Sequence, residues 1–216
     1  ALVPDSRYAA LNDKISDTIA EGLLLAPSSL PETYPGERYP VDTAAGAASV
    51  GLHDRATGRN HAAALAAWKK GVQERWSDHG LLIQSVHPDG TPLDRPRGSG
   101  TFLASWFISW WDPGLARELY TGGRDQLYVS MGLAGAMREY LPDQDGPGDI
   151  DSGPIVAGLG VSATGFAIGA ARAAGDLVTA EQLTRLAEIV GRPVDNGDAR
   201  HWATGGDLGG APLADA

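Results

Sequence analysis

Apolar residues recur along most of this chain at spacings of three and four, the period of a helix with one buried face. Tyr8, Leu11, Ile15, Ile19 and Leu23 form the first such stripe and predict a helix from Ser6 to Leu25, with Asp5 or Ser6 as its N-cap. Ala64, Ala67, Trp68, Val72 and Trp76 predict another, from about Asn60 to Trp76. Between them, Pro27, Pro31, Pro35 and Pro40 make a long connection, followed by a helix from Val41 to Leu52. Gly80 to His87 reads as an extended arm ending in a turn at Pro88-Asp89-Gly90. Further helices are predicted at Gly100 to Trp111, where Pro113-Gly114 ends the pattern, at Leu115 to Tyr120, and from Gly123 to about Tyr140. After a loop over Leu141 to Gly148, the last two predicted helices run from Gly153 to Ala174 and from Leu177 to Val190. Little apolar periodicity follows, so the chain divides into a helical part, 1–190, and a Gly/Asp-rich tail, 191–216.

Two of these helices differ in kind from their successors. Val41–Leu52 and Gly153–Ala174 are rich in small residues and nearly uncharged, and each precedes an ordinary amphipathic helix. In an α/α toroid the inner helices are buried on both sides while the outer ones keep a wet face, whereas a plain bundle gives helices of similar amphipathicity. The alternation therefore predicts an all-α, α/α-toroid architecture with a short extended hairpin. Seven or eight helices are too few to close a ring, so either the toroid is partial or open, or, as the favoured expectation, the remaining helices lie elsewhere in a longer product.

Composition narrows the function. Of 216 residues 29 are glycine, against about 15 at ordinary usage, which fits many turns and close helix contacts. The absence of cysteine excludes disulfides, thiolate metal sites and a cysteine nucleophile in this chain. A net charge of -10, with only Lys69-Lys70 and Arg95-Pro96-Arg97 as basic spots, argues against a nucleic-acid partner. No apolar run approaches the ~18 residues of a membrane span. The chain opens on Ala1, which predicts upstream processing such as loss of a signal peptide, or a piece of a longer chain; cytoplasmic and secreted locations both stay open.

Candidate chemistry centres on carboxylates. Asp149 and Asp151 precede the small-residue helix and lie on one side of an extended segment, which leaves three readings: a helix cap, an oxygen site for a hard cation, or acid/base groups. Asp42 opens the other small-residue helix in the same way. If both helix starts face one end of the toroid, these carboxylates meet in a cleft, and a glycosidic bond is cleaved by such a pair, one protonated and one ionised. On this reading Asp42 and Asp151 are the pair and Asp149 tunes one of them. Arg38 and Tyr39 are candidate substrate contacts in the adjoining loop, with Glu37-Arg38 alternatively a solvated pair. Trp106 and Trp110, four apart, are either core or a stacking platform, and His87 sits in a turn that can reach a cleft mouth. His53, His61, His79, His87 and His201 show no metal-ligand spacing, so no metal or other cofactor is expected. His53-Asp54 falls at the far end of the Asp42 helix. There is no nucleophile-elbow motif, and the glycines from Gly158 to Gly169 lack the context of a dinucleotide fingerprint.

The segments YPGERYPVDTAAG, DHGLLIQSVHPDG and GDIDSGPIVAGLGVSATGFAIGAA resemble those of bacterial (α/α)-toroid enzymes, over a span from Tyr34 to Ala174. That group includes glycoside hydrolases, polysaccharide lyases and the linalool dehydratase/isomerase family. The resemblance implies hydrolysis of a glycosidic bond by carboxylates, with a small-molecule or glycan substrate. The dehydratase/isomerase chemistry uses cysteines as well as an acid, so it does not carry over intact to this chain. The alternatives are a terpenoid or small-alcohol dehydratase/isomerase, with a narrow aromatic cavity, and a non-catalytic binding protein, with an open cleft and aspartates satisfied by backbone N–H groups.

Overall fold

The computed structural model describes residues 6–149, 152–196 and 199–202, and among them the fold is a mostly helical bundle of seven α-helices with small, separate two-stranded sheets. Helix α1 (Ala9–Leu25) starts later than its stripe suggested: Tyr8 is the N-cap, Ser6 accepts from the Tyr8 N–H on its hydroxyl and from the Ala9 N–H on its carbonyl, and Asp5 lies outside the described residues. Of its apolar stripe Leu23 is buried and Ile19 packs on the core, but Tyr8, Leu11 and Ile15 face solvent. Helix α2 (Pro40–Thr57) has Pro40 in its first turn and the left-handed Gly58 after its last, and so runs past the expected Leu52. Helix α3 (Ala62–Glu74) follows closely, with Ala64, Trp68 and Val72 buried along its stripe.

Strands β1 (Ser77–Asp78) and β2 (Leu81–Leu82) pair, and the extended arm continues to Val86, which bridges both Arg38 and Pro92 before the turn at His87–Gly90. Helix α4 (Gly98–Ser109) ends before Pro113, but Pro113 opens the next helix rather than merely closing the last. Asp112 Oδ1 accepts from the N–H groups of Gly114 and Leu115, and α5 (Pro113–Leu127) runs straight through Gly122-Gly123. In place of the expected helix to Tyr140, β3 (Tyr128–Met131) and β4 (Ala134–Met137) form an antiparallel hairpin that turns at the left-handed Gly132. Gly122 is inside a helix because the chain crosses it there: a Cβ at this position would stand 2.5 Å from the Gly80 carbonyl oxygen. Gly122→Ala is therefore expected to cost about 1–3 kcal/mol in spite of alanine's better helix propensity, measured as a lower urea midpoint. An unchanged midpoint would mean that α5 is not held against Gly80.

The small-residue helix also begins later than expected. Ile155–Val156 (β5) and Leu159–Gly160 (β6) make a short hairpin, and α6 (Val161–Ala174) starts only after it. α7 (Leu177–Val190) has the predicted bounds, capped by Asp176, and the tail carries an antiparallel pair, β7 (Pro193–Asn196) and β8 (Ala199–Trp202).

Helices α2, α4 and α6 lie side by side, with α4 in the middle. Their glycines fix the direction. Near the start of α4, Gly98 approaches Ala163 of α6 and Gly100 approaches Val41 of α2; further along, Gly51 of α2 meets Trp111 and Gly169 of α6 meets Trp106. All three therefore run parallel, with their N-termini at one end. The remaining helices flank this row: α1 and α3 against α2, α5 against α4 and α6, α7 against α6. Among the described residues the apolar interior forms two clusters that both draw on α4, one with Ala104 and Ile108, the other with Phe102.

Candidate functional site

The segment after β4 and the loop that follows it carry charge to the shared N-terminal end of the helical row. The Arg138 N–H donates to Leu127, and the Glu139 carbonyl accepts from Gly98 at 2.8 Å while the Glu139 N–H reaches the Gly158 carbonyl at 3.2 Å. Glu139 is thereby fixed between the start of α4 and the β5–β6 hairpin. Its side chain is 0% exposed, with Oε1 2.5 Å from the Ser99 hydroxyl and Oε2 accepting from the Ser99 N–H at 3.3 Å. Burial pushes its carboxyl up from 4.5 to about 7, against the opposing pull of Ser99 and Arg97.

Asp149 is the neighbouring carboxylate. Burial would raise its pKa, but the Ser152 N–H at 2.8 Å and the Arg97 guanidinium outweigh this and hold it below its ordinary value. Arg97 also pairs with Asp94 at 2.6 Å and lies 5.5 Å from the Tyr140 ring centroid. The Tyr140 hydroxyl donates to the Pro147 carbonyl at 2.9 Å. Between this loop and the hairpin opens a cleft of about 840 Å³, within the usual size of a small-ligand site, whose walls include Arg138, Tyr140, Asp145, Asp149 and Gly158. Arg138 and Tyr140 face it; Glu139, on the alternate side of the extended segment, stands behind its wall against Gly160. Two carboxyls that feel one another are thus driven in opposite directions, one toward the neutral form and one toward the ionised form. That is the electrostatic requirement for acid/base work.

No protein-family model matches the chain, and no curated protein is significantly similar to it.

The residues singled out from the sequence fall in three places. Asp149 is in the cleft, and Asp151 lies outside the described residues. The helix-cap reading of this segment does not hold: the N-cap of α6 is Gly160, and Asp149 instead closes a turn in which its N–H donates to the Ser152 hydroxyl. Asp42, Arg38 and Tyr39 share the N-terminal end of the row. Asp42 is exposed in the first turn of α2 and is not its cap, which is Tyr39. Arg38 is buried and pairs with Glu32 at 2.9 Å rather than with Glu37, which instead accepts from the Tyr39 hydroxyl at 2.8 Å. Trp106 and Trp110 lie toward the other end of α4. Trp106 is half-buried, stacked on Phe107 and against Gly169, and Trp110 is 51% exposed at the helix end. The structure does not bring them to the carboxylates. His87 is exposed at its hairpin turn and is not part of the cleft wall.

Glu139, Arg97 and Ser99 were not singled out by sequence reasoning. The one local signal was Arg138-Glu139, a charged pair in an otherwise apolar run, which a helix to Tyr140 would have placed on a wet surface.

Proposed function

We propose that the chain is a carboxylate acid/base enzyme acting on a polar substrate in the Arg138–Asp149 cleft, with hydrolysis of a glycosidic bond as its reaction and a partial α/α toroid as its architecture. The observation that carries this reading is the opposed pair of carboxyls: Glu139 held protonated near neutrality and Asp149 held ionised beside it. In this scheme Glu139 supplies the proton to the leaving oxygen, and Asp149 serves as base or nucleophile. Arg97 orients Asp149, and Arg138 and Tyr140 hold the substrate. Because Gly158 and Gly160 separate Glu139 from the cleft, the β5–β6 hairpin has to lift for the proton to be delivered. The parallel row α2–α4–α6 with flanking outer helices supports the toroid, since it reproduces inner and outer layers. The open cleft, with Arg138, Asp145 and Asp149 among its walls and Tyr140 as its one aromatic ring, fits a sugar better than the dry aromatic cavity of a terpenoid dehydratase.

A second reading has an observation of its own. Asp149 is already satisfied by the Ser152 N–H and Arg97, and Glu139 is enclosed, which is what a non-catalytic glycan-binding cleft would show. The two separate in one assay: release of reducing ends from a panel of oligosaccharides, run alongside calorimetric binding of the same panel. The enzyme reading expects turnover that falls about 10²–10⁴-fold in Asp149→Asn. Binding with no turnover on any member would replace it with the second.

A further inference from the structure

The end of the helical row away from the cleft holds a second cluster of titratable side chains. His53 and Asp54 lie in the last turns of α2, Gly58 turns the chain in the left-handed conformation, and His61 is the residue before α3. A ring nitrogen of each histidine and a carboxylate oxygen of Asp54 lie within 4.8 Å of one another. His53 is 3% exposed; its Nε2 is 2.8 Å from Asp13 Oδ1, and its Nδ1 is buried with no hydrogen-bond partner among the described residues. His61 has Nε2 3.0 Å from Asp17 Oδ1 and Nδ1 2.6 Å from Asp54 Oδ1. Each imidazole thus presents Nε2 to a carboxylate of α1, which leaves His61 Nδ1 on Asp54 and His53 Nδ1 without a hydrogen-bond partner among the described residues. Arg59 fixes both of those carboxylates, bonding Asp17 at 2.7 and 2.8 Å and Asp13 at 3.1 Å.

An imidazole that gives one nitrogen to a carboxylate is oriented, and made more basic, at the other, which is the usual outer shell of a histidine-bound metal. An orphaned buried nitrogen is costly unless something occupies it. We propose that His53 Nδ1, His61 Nδ1 and an Asp54 oxygen bind one divalent transition-metal ion, of which zinc fits best, with water completing a tetrahedron. Two imidazoles and one carboxylate favour zinc over magnesium or calcium, which take all-oxygen sites. Ligand atoms around tetrahedral zinc stand about 3.4 Å apart, so closing the cluster needs side-chain shifts of about 1 Å. The site lies ~16 Å along α2 from Asp42 and does not share residues with the cleft. Its ion would clip the end of α2 to the start of α3 and, through Asp13 and Asp17, hold α1.

The test uses the full chain after chelator treatment, titrated with Zn²⁺ and separately with Co²⁺ as a spectroscopic probe. One Zn²⁺ per chain, a rise in melting temperature that Mg²⁺ does not reproduce, and visible Co²⁺ bands of a nitrogen-ligated tetrahedral site are the expected results. His61→Gln and Asp54→Asn, both at partly exposed positions, are expected to weaken binding at least about 10-fold with unchanged circular dichroism. Asp17→Asn, which keeps every ligand, should weaken it about 10–100-fold. No Zn²⁺ binding by the wild-type chain, or binding that His61→Gln leaves unaltered, would overturn the assignment and leave an ion-pair cluster that ties three helices together.

Discussion

Glu139→Gln is expected to lower turnover about 10²–10⁴-fold while leaving the protein as stable as the wild type, or more so, above pH 7. The two effects have one cause. The folded chain raises this carboxyl from 4.5 to about 7, so over that interval the native state holds a proton that the unfolded chain has released. Wild-type stability therefore falls with rising pH between the two values, by up to about 1.4 kcal/mol per pH unit, and this contribution is flat on either side. Glutamine keeps the shape and an acceptor for Ser99 but cannot ionise, so the slope disappears. Asp149 contributes the opposite sign and at lower pH: its depressed pKa gives stability above 3.8 that is lost as the pH falls through the folded value. Urea denaturation of wild type and variant at a series of pH values isolates the Glu139 contribution as a difference. A purely structural Glu139 predicts another outcome, with the variant less stable at every pH and turnover unchanged per folded molecule.

Trp68→Ala should be the most damaging single change in the interior, at about 3–5 kcal/mol, or a melting temperature lower by about 6–20 °C. The indole is wholly buried on α3, its N–H donates to Thr43 Oγ1 at 2.9 Å, and its ring lies 6.5 Å from that of Trp76 and 6.3 Å from that of Trp111. Helix α2, the turn after α3 and the turn between α4 and α5 meet at it, so the void cannot be filled by one neighbour relaxing. Trp68→Phe should lose much less, since Thr43 Oγ1 still donates to the Pro40 carbonyl at 3.0 Å. Equal losses for Ala and Phe would show that the hydrogen bond, and not the volume, is what matters.

Elements with one clean apolar stripe were legible. α7 and the core face of α3 were readable because leucines, alanines and tryptophans at helical spacing sit between plain boundary residues such as Gly175-Asp176. The region from Gly122 to Tyr140 was not. Gly122-Gly123 has the look of a break but serves a close crossing of two backbones, and a strand made of Ala134, Gly135, Ala136 and Met137 has no polar positions to reveal its alternation. Asp149 was recognisable as a carboxylate near the start of an important helix. Its real partner, Arg97, is 52 residues away, and no local period carries that distance. Glu139 was hidden for the same reason, since its raised pKa comes from burial between the start of α4 and the β5–β6 hairpin, a contact between distant parts of the chain. The His53–Asp54–His61 grouping depends on the tight turn between α2 and α3, which short ligand motifs do not encode.

The central position of α4 has a consequence for how the molecule comes apart. Ala104 and Ile108 close one apolar cluster and Phe102 the other, from a single helix of 12 residues. A cut before Gly98 strips the first cluster of one wall, and a cut after Ser109 strips the second. Neither half of the helical region is therefore expected to fold when excised, and the two clusters are expected to melt together, with a lesion on α3 or α7 felt in both.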